Sequence, residues 1–88
     1  LPSGTKLATL LAVLTAVLDD ALGKAKEYIK LEALQKNGQL CLMAQTDASA
    51  VYNAAMLATL NAVAHENNGI LHTDTTYYSI LISMKKQN

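Results

Sequence analysis

The chain has 88 residues, 51% of them hydrophobic and 16% charged, a balance that excludes intrinsic disorder and leaves more apolar surface than one small core hides. Net charge is zero, all seven basic residues are lysines and arginine is absent; this weighs against nucleic-acid recognition, where the planar guanidinium is the usual reader of phosphate and guanine. The lone Cys41 excludes an internal disulfide and fits a reducing, cytoplasmic setting.

The length fits one small domain spanning residues 1–88. It opens Leu-Pro-Ser-Gly without methionine and reads as a fragment or processed product of a longer chain. In chain order, Thr5–Gln35 keeps one helical face apolar and predicts a long N-terminal helix. Leu7, Leu11, Leu14, Leu18, Leu22, Ala25 and Ile29 follow at steps of three and four, widened by Leu10, Val13, Val17, Tyr28 and Leu31. Ser3 or Thr5 caps its start. Asp20 with Lys24, and Glu32 with Lys36, stand four apart and mark a solvated face. Gly23 is either a bend or a cost of about 1 kcal/mol relative to alanine. Asn37-Gly38 then ends the helix, with glycine in the left-handed position. The apolar run Leu7–Leu18 stops at Asp19-Asp20, short of the roughly 18–20 residues of a membrane span. Ser3, Gly4 and Lys6 make a poor signal-peptide n-region, and no small-residue cleavage site follows. A helix this long needs a large surface to lie against: the rest of the chain or a second copy.

Gln39–Gln45 predicts a strand with Leu40, Leu42 and Ala44 on one side and Cys41 and Met43 on the other, covered on both faces. Thr46 or Asp47 caps a second helix that runs to Glu66 and closes at Asn67-Asn68-Gly69. Ala48, Val51, Ala55, Ala58 and Ala62 form a narrow stripe that predicts close packing, beside a bulkier face of Tyr52, Met56, Leu60 and Val63. Ile70–His72 and Thr76–Met84 are rich in β-branched residues and tyrosine. In the latter, Tyr78, Ile80, Ile82 and Met84 alternate with Tyr77, Ser79, Leu81 and Ser83, a half-buried strand with its serines toward water or an edge. Thr73-Asp74-Thr75 supplies the turn of a hairpin. The expected fold is α+β in the order α-β-α-β-β, with a small antiparallel or mixed sheet covered by two helices.

Among chemistry-bearing residues, His65, Glu66, His72 and Asp74 form the densest metal-capable set. Their spacing matches no ligand pattern, because H-E-x-x-H requires a histidine where Gly69 stands. His65 reads as a partner of the C-terminal helix dipole and His72 as a strand residue, so no metal or cofactor is expected. A nucleophilic Cys41 needs a base and an electropositive setting; in an apolar strand it acts as a small hydrophobe. No glycine-rich phosphate loop, serine triad or paired-carboxylate site is present in the sequence. Lys24, Lys26, Lys30 and Lys36, with Lys85 and Lys86, form a modest basic patch diluted by Glu27 and Glu32. Tyr77 and Tyr78 add one stacking surface to it.

The leading expectation is a non-catalytic assembly module without a cofactor, homodimeric through Leu7, Leu11, Leu14, Leu18, Leu22 and Ile29. An RNA- or nucleotide-binding accessory protein using the lysines and Tyr77/Tyr78 is the alternative. A small metal-dependent enzyme at His65, His72 and Asp74 is the third.

Overall fold

From Ile29 to Lys36 the chain follows a period of two rather than a helical one. In the computed structural model, which describes residues 7–85, the elements run α1 (Leu7–Lys24), β1 (Ile29–Lys36), β2 (Gln39–Thr46), α2 (Ala54–Glu66), β3 (Ile70–Thr73) and β4 (Ser79–Lys85). The class is the expected α+β: two helices and one antiparallel sheet of four strands in the order β1-β2-β4-β3.

The expected order gains a strand, because the predicted first helix is two elements. α1 is 18 residues long, and Ile29–Lys36 pairs with β2 in an unbroken register from Ile29↔Thr46 to Lys36↔Gln39. Asn37 and Gly38 form the two-residue loop between them, at φ 54° and 76°. Two successive positive φ values are what a type I′ hairpin turn requires, and they match the twist of the flanking strands. The expected caps Ser3 and Thr5 lie outside the described residues.

Both helices lie on one face of the sheet. Their meeting point is a core of Val13, Val17 and Ala21 from α1, Met56, Leu60 and Ala64 from α2, and Ala44, Tyr78, Ile80 and Ile82 from β2, β4 and its approach. The alternation of Tyr78, Ile80, Ile82 and Met84 into the core is as the sequence implies. Ser83, expected to face water, is instead buried, and its Oγ accepts from the Ile70 N–H at 3.1 Å. The opposite sheet face, carrying Leu34, Cys41, Met43 and Leu81, is overlaid by no element among the described residues, so β2 is covered on one side only.

Two helical faces differ from expectation. On α1 the core takes Val13, Val17 and Ala21, a line roughly a third of a turn from the leucines; small and β-branched side chains let the helix close onto α2. On α2 the buried line is Met56, Leu60 and Ala64, while Val51 and the stripe Ala55, Ala58 and Ala62 face solvent. Met56 and Leu60 supply the reach from α2 toward the sheet that the stripe alanines lack. The cap is Asn53, whose Oδ1 accepts from the Met56 N–H at 2.9 Å, not Thr46 or Asp47. α2 closes where expected: the Gly69 N–H donates to the Ala64 carbonyl at 2.7 Å and the Asn68 N–H to the His65 carbonyl at 3.4 Å, with Asn68 at φ 53°. This is a Schellman closure.

Candidate functional site

An apolar groove opens between α1 and the hairpin β1–β2. Leu10 and Leu14 of α1 form one wall, Leu31 and Ala33 of β1 the other, and core residues such as Leu42 and Ile80 form its floor, around a cavity of about 250 Å³. The groove exists because α1 leans on α2 and meets the sheet chiefly along β2. β1 is thereby left bare: every residue from Lys30 to Lys36 is exposed. Above the groove, the leucine side of α1 continues outward through Leu7 (61% exposed) and Leu11 (53% exposed). An apolar band thus runs from α1 across the groove to the edge strand.

Of the expected interface residues, Leu7, Leu11 and Leu22 are exposed and Leu14 and Leu18 half-buried on α1, whereas Ile29 is half-buried at the start of β1. The lysines are dispersed. Lys24 is engaged, its Nζ 2.8 Å from Asp20 Oδ1 and donating to the Val51 carbonyl at 2.6 Å. Lys30 pairs with Glu32 at 3.1 Å, on an exposed face, and takes the place of the expected Glu32–Lys36 pair. Lys26 lies in the α1–β1 connection and Lys36 beside the hairpin turn, while Lys85 is exposed on β4 and Lys86 lies outside the described residues. Tyr77 is half exposed but Tyr78 is fully buried, so the two do not share a stacking surface. His65 is exposed in the last turn of α2, on the helix side, and His72 projects from the open sheet face beside Leu81. Asp74 is used in its own turn, accepting from the Thr76 N–H at 2.8 Å. Among the described residues no three or more His, Cys, Asp or Glu side chains group to hold a metal ion. Free Cys41 is half-buried on the open sheet face.

Two polar devices that sequence spacing does not announce hold this frame together. At the end of α1, Asp20 Oδ2 accepts from the Tyr78 hydroxyl at 2.8 Å and from the Asn53 N–H at 3.2 Å. Burial alone raises the Asp20 pKa, but the hydrogen bonds from Lys24, Tyr78 and Asn53 outweigh it and hold the carboxyl below its usual range. Burial, and then the Asp20 carboxylate, push the Tyr78 phenol well up. Tyr52 packs against Tyr78 with ring centroids 4.8 Å apart and planes tilted by 41°; its hydroxyl donates to the Asp74 carbonyl at 2.8 Å and accepts from the Ser79 N–H at 3.0 Å. The carboxylate lies against the N-terminus of α2, where negative charge is favoured, so the chain supplies its own anion there.

The second device is Asp47. Its two carboxylate oxygens accept from the Lys26 and Glu27 N–H groups, each at 2.9 Å, and the Thr46 hydroxyl donates to the Tyr28 carbonyl at 2.5 Å. The Lys26 N–H bond is the main reason the Asp47 carboxyl sits below its usual range. Together these bonds fix the reversal by which α1 hands over to β1. Among the described residues no helix is long and apolar enough to cross a membrane. No known protein family and no curated protein matches this chain.

Proposed function

We propose that the protein is a non-catalytic assembly module that binds a second copy of itself through the α1–β1 side of the domain. The observation that carries this reading is the apolar band, covered by no element among the described residues, that runs from Leu7 and Leu11 over the groove to Leu31. Exposed apolar patches rimmed by polar residues mark association surfaces, and a chain of this size is readily stabilised further by association. Polar side chains support the same reading by their occupations: Asp20, Asp47, Asn53 and Asp74 each satisfy backbone or neighbouring groups. A cytoplasmic setting, suggested by the single free thiol, accompanies the proposal.

Sedimentation equilibrium at about 10 and ~100 µM, within the μM–mM range of such association, tests it. The expected result is an average mass that rises toward the dimer with concentration and falls in Leu11→Lys. A strictly monomeric mass at both concentrations removes the reading.

A further inference from the structure

We propose that β1 of one copy pairs antiparallel with β1 of a second, in the single register centred on Leu31, joining two four-stranded sheets into one of eight. This rests on the self-association reading and names its contact. β1 is an edge strand of eight residues with no bulge in its register and no proline, features that leave an edge open to pairing. The other edge, β3, has four residues.

The direction of the free backbone groups follows from β2. The Thr46 N–H donates to the Tyr78 carbonyl at 3.2 Å, toward β4 and away from its β1 neighbour Ile29. Because antiparallel hydrogen bonding alternates, Ala44 and Leu42 point the same way. Their partners Ile29, Leu31 and Ala33 therefore aim their N–H and C=O groups outward from the sheet.

A symmetric antiparallel pair keeps both helix layers on one side only if it is centred on a residue. Centring on Leu31 sets Leu31 against Leu31 and Ile29 against Ala33 on the helix-covered face. On the open face it sets Lys30 against Glu32 of the second copy and Tyr28 against its Leu34, each twice. From Tyr28 to Leu34 every apolar residue meets an apolar one and every charge its opposite; the one like-charge pairing, Lys36 across from Lys26, falls at the end of the strand, where Lys26 lies in the α1–β1 connection outside β1. Tyr28 (53%), Leu31 (47%) and Leu34 (63%), the large exposed apolar side chains of this edge, all gain partners. Neighbouring registers fail this test. Centring on Lys30 or Glu32 opposes that charge to itself, and centring on Ala33 opposes Lys30 to Lys36. Centring on Leu34 pairs Glu32 with Lys36 but sets Leu31 against the turn residue Asn37. Unlike charges and apolar pairs directly across a sheet stabilise it, and like charges there do the reverse. Leu31 also lines the groove, so the central pair brings the two grooves together.

The experiment is a charge exchange, read by sedimentation. Lys30→Glu alone and Glu32→Lys alone are each expected to weaken the homodimer by about tenfold. An equimolar mixture of the two restores it, since each crossing pair is again of opposite sign. As a measurement independent of charge, Leu31→Cys in a Cys41→Ser background is expected to oxidise to a covalent dimer, the opposed Cα atoms being about 5.5 Å apart, within disulfide reach. If the parent dimerises but the single variants do so equally well, or the mixture is not restored, or no covalent dimer forms, this register is overturned while self-association through α1 stands. If the parent is monomeric throughout, both readings fall.

Discussion

The Tyr78 hydroxyl donates to Asp20 across 58 positions of sequence, and that bond ties the end of α1 to the approach of β4 and, through Asn53, to the start of α2. Because the carboxyl is held below its usual range in the fold, its contribution is present above its unfolded pKa of about 3.9 and is lost as pH falls through the folded value. The Tyr78 phenol is pushed upward, so the unfolded chain ionises first and stability is also lost above about pH 10. Urea denaturation between pH 7 and pH 3 is expected to show a steeper loss in the parent than in Asp20→Asn. Tyr78→Phe should cost about 1–3 kcal/mol at neutral pH and flatten the alkaline decline.

Gly69 and Gly23 should respond oppositely to alanine. A Cβ on Gly69 would lie 1.6 Å from the Ser83 carbonyl oxygen, whereas one on Gly23 meets nothing within 4 Å. The first clash is with the backbone of β4 and cannot be relieved by a rotamer, so Gly69→Ala is expected to cost at least about 3 kcal/mol. Gly23→Ala fills an exposed helical position and should stabilise by roughly 0.5–1 kcal/mol. Urea midpoints of the two variants check both signs.

The alanine stripe of α2 faces solvent, so Ala58→Leu should change stability by no more than about 0.5 kcal/mol. Leu60→Ala, at a fully buried position, should cost about 2–5 kcal/mol. Melting curves that rank them the other way would reverse the assignment of the helix faces.

Asp47 fixes the α1–β1 reversal through two backbone N–H groups. In Asp47→Ala the amides of Lys26 and Glu27 should exchange with solvent much faster, while amides in the middle of β4 keep their protection. Equal acceleration at both places would mean that Asp47 supports the whole fold rather than that one loop.

The parts of the fold that were legible are those where one pattern competes with no other. Tyr78, Ile80, Ile82 and Met84 enter the core at alternate positions along β4 and its approach, and α2 ends on Asn67-Asn68-Gly69, whose backbone demands only a helix stop satisfies. Residues 25–36 carry two patterns at once: Ala25, Ile29 and Leu31 extend the spacing of α1, while Ile29, Leu31 and Ala33 alternate with Lys30 and Glu32. Asn37-Gly38 fits either a helix end or a hairpin loop, and the hairpin prevails because the strand then pairs along its whole length with β2. Alternating neighbours on both sides of that dipeptide were the available signal. Helix-face assignment on α1 and α2 depended on what each helix packs against, which spacing does not contain. The Asp20–Tyr78 and Asp47 contacts join residues far apart in sequence, and nothing local marks them.

The sheet order also has a kinetic consequence. β1–β2 and β3–β4 are hairpins closed by short connections, but the central seam between β2 and β4 forms only after α2 and the chain around it have been looped back. Loop closure makes such non-local pairing slow relative to hairpin formation. Each half can therefore form early, and the step that sets the refolding rate is their union along Leu42↔Ile82 and Ala44↔Ile80. In stopped-flow refolding, a conservative truncation at Ile82 is expected to slow folding more than one at Leu34, whose truncation leaves the rate nearly untouched.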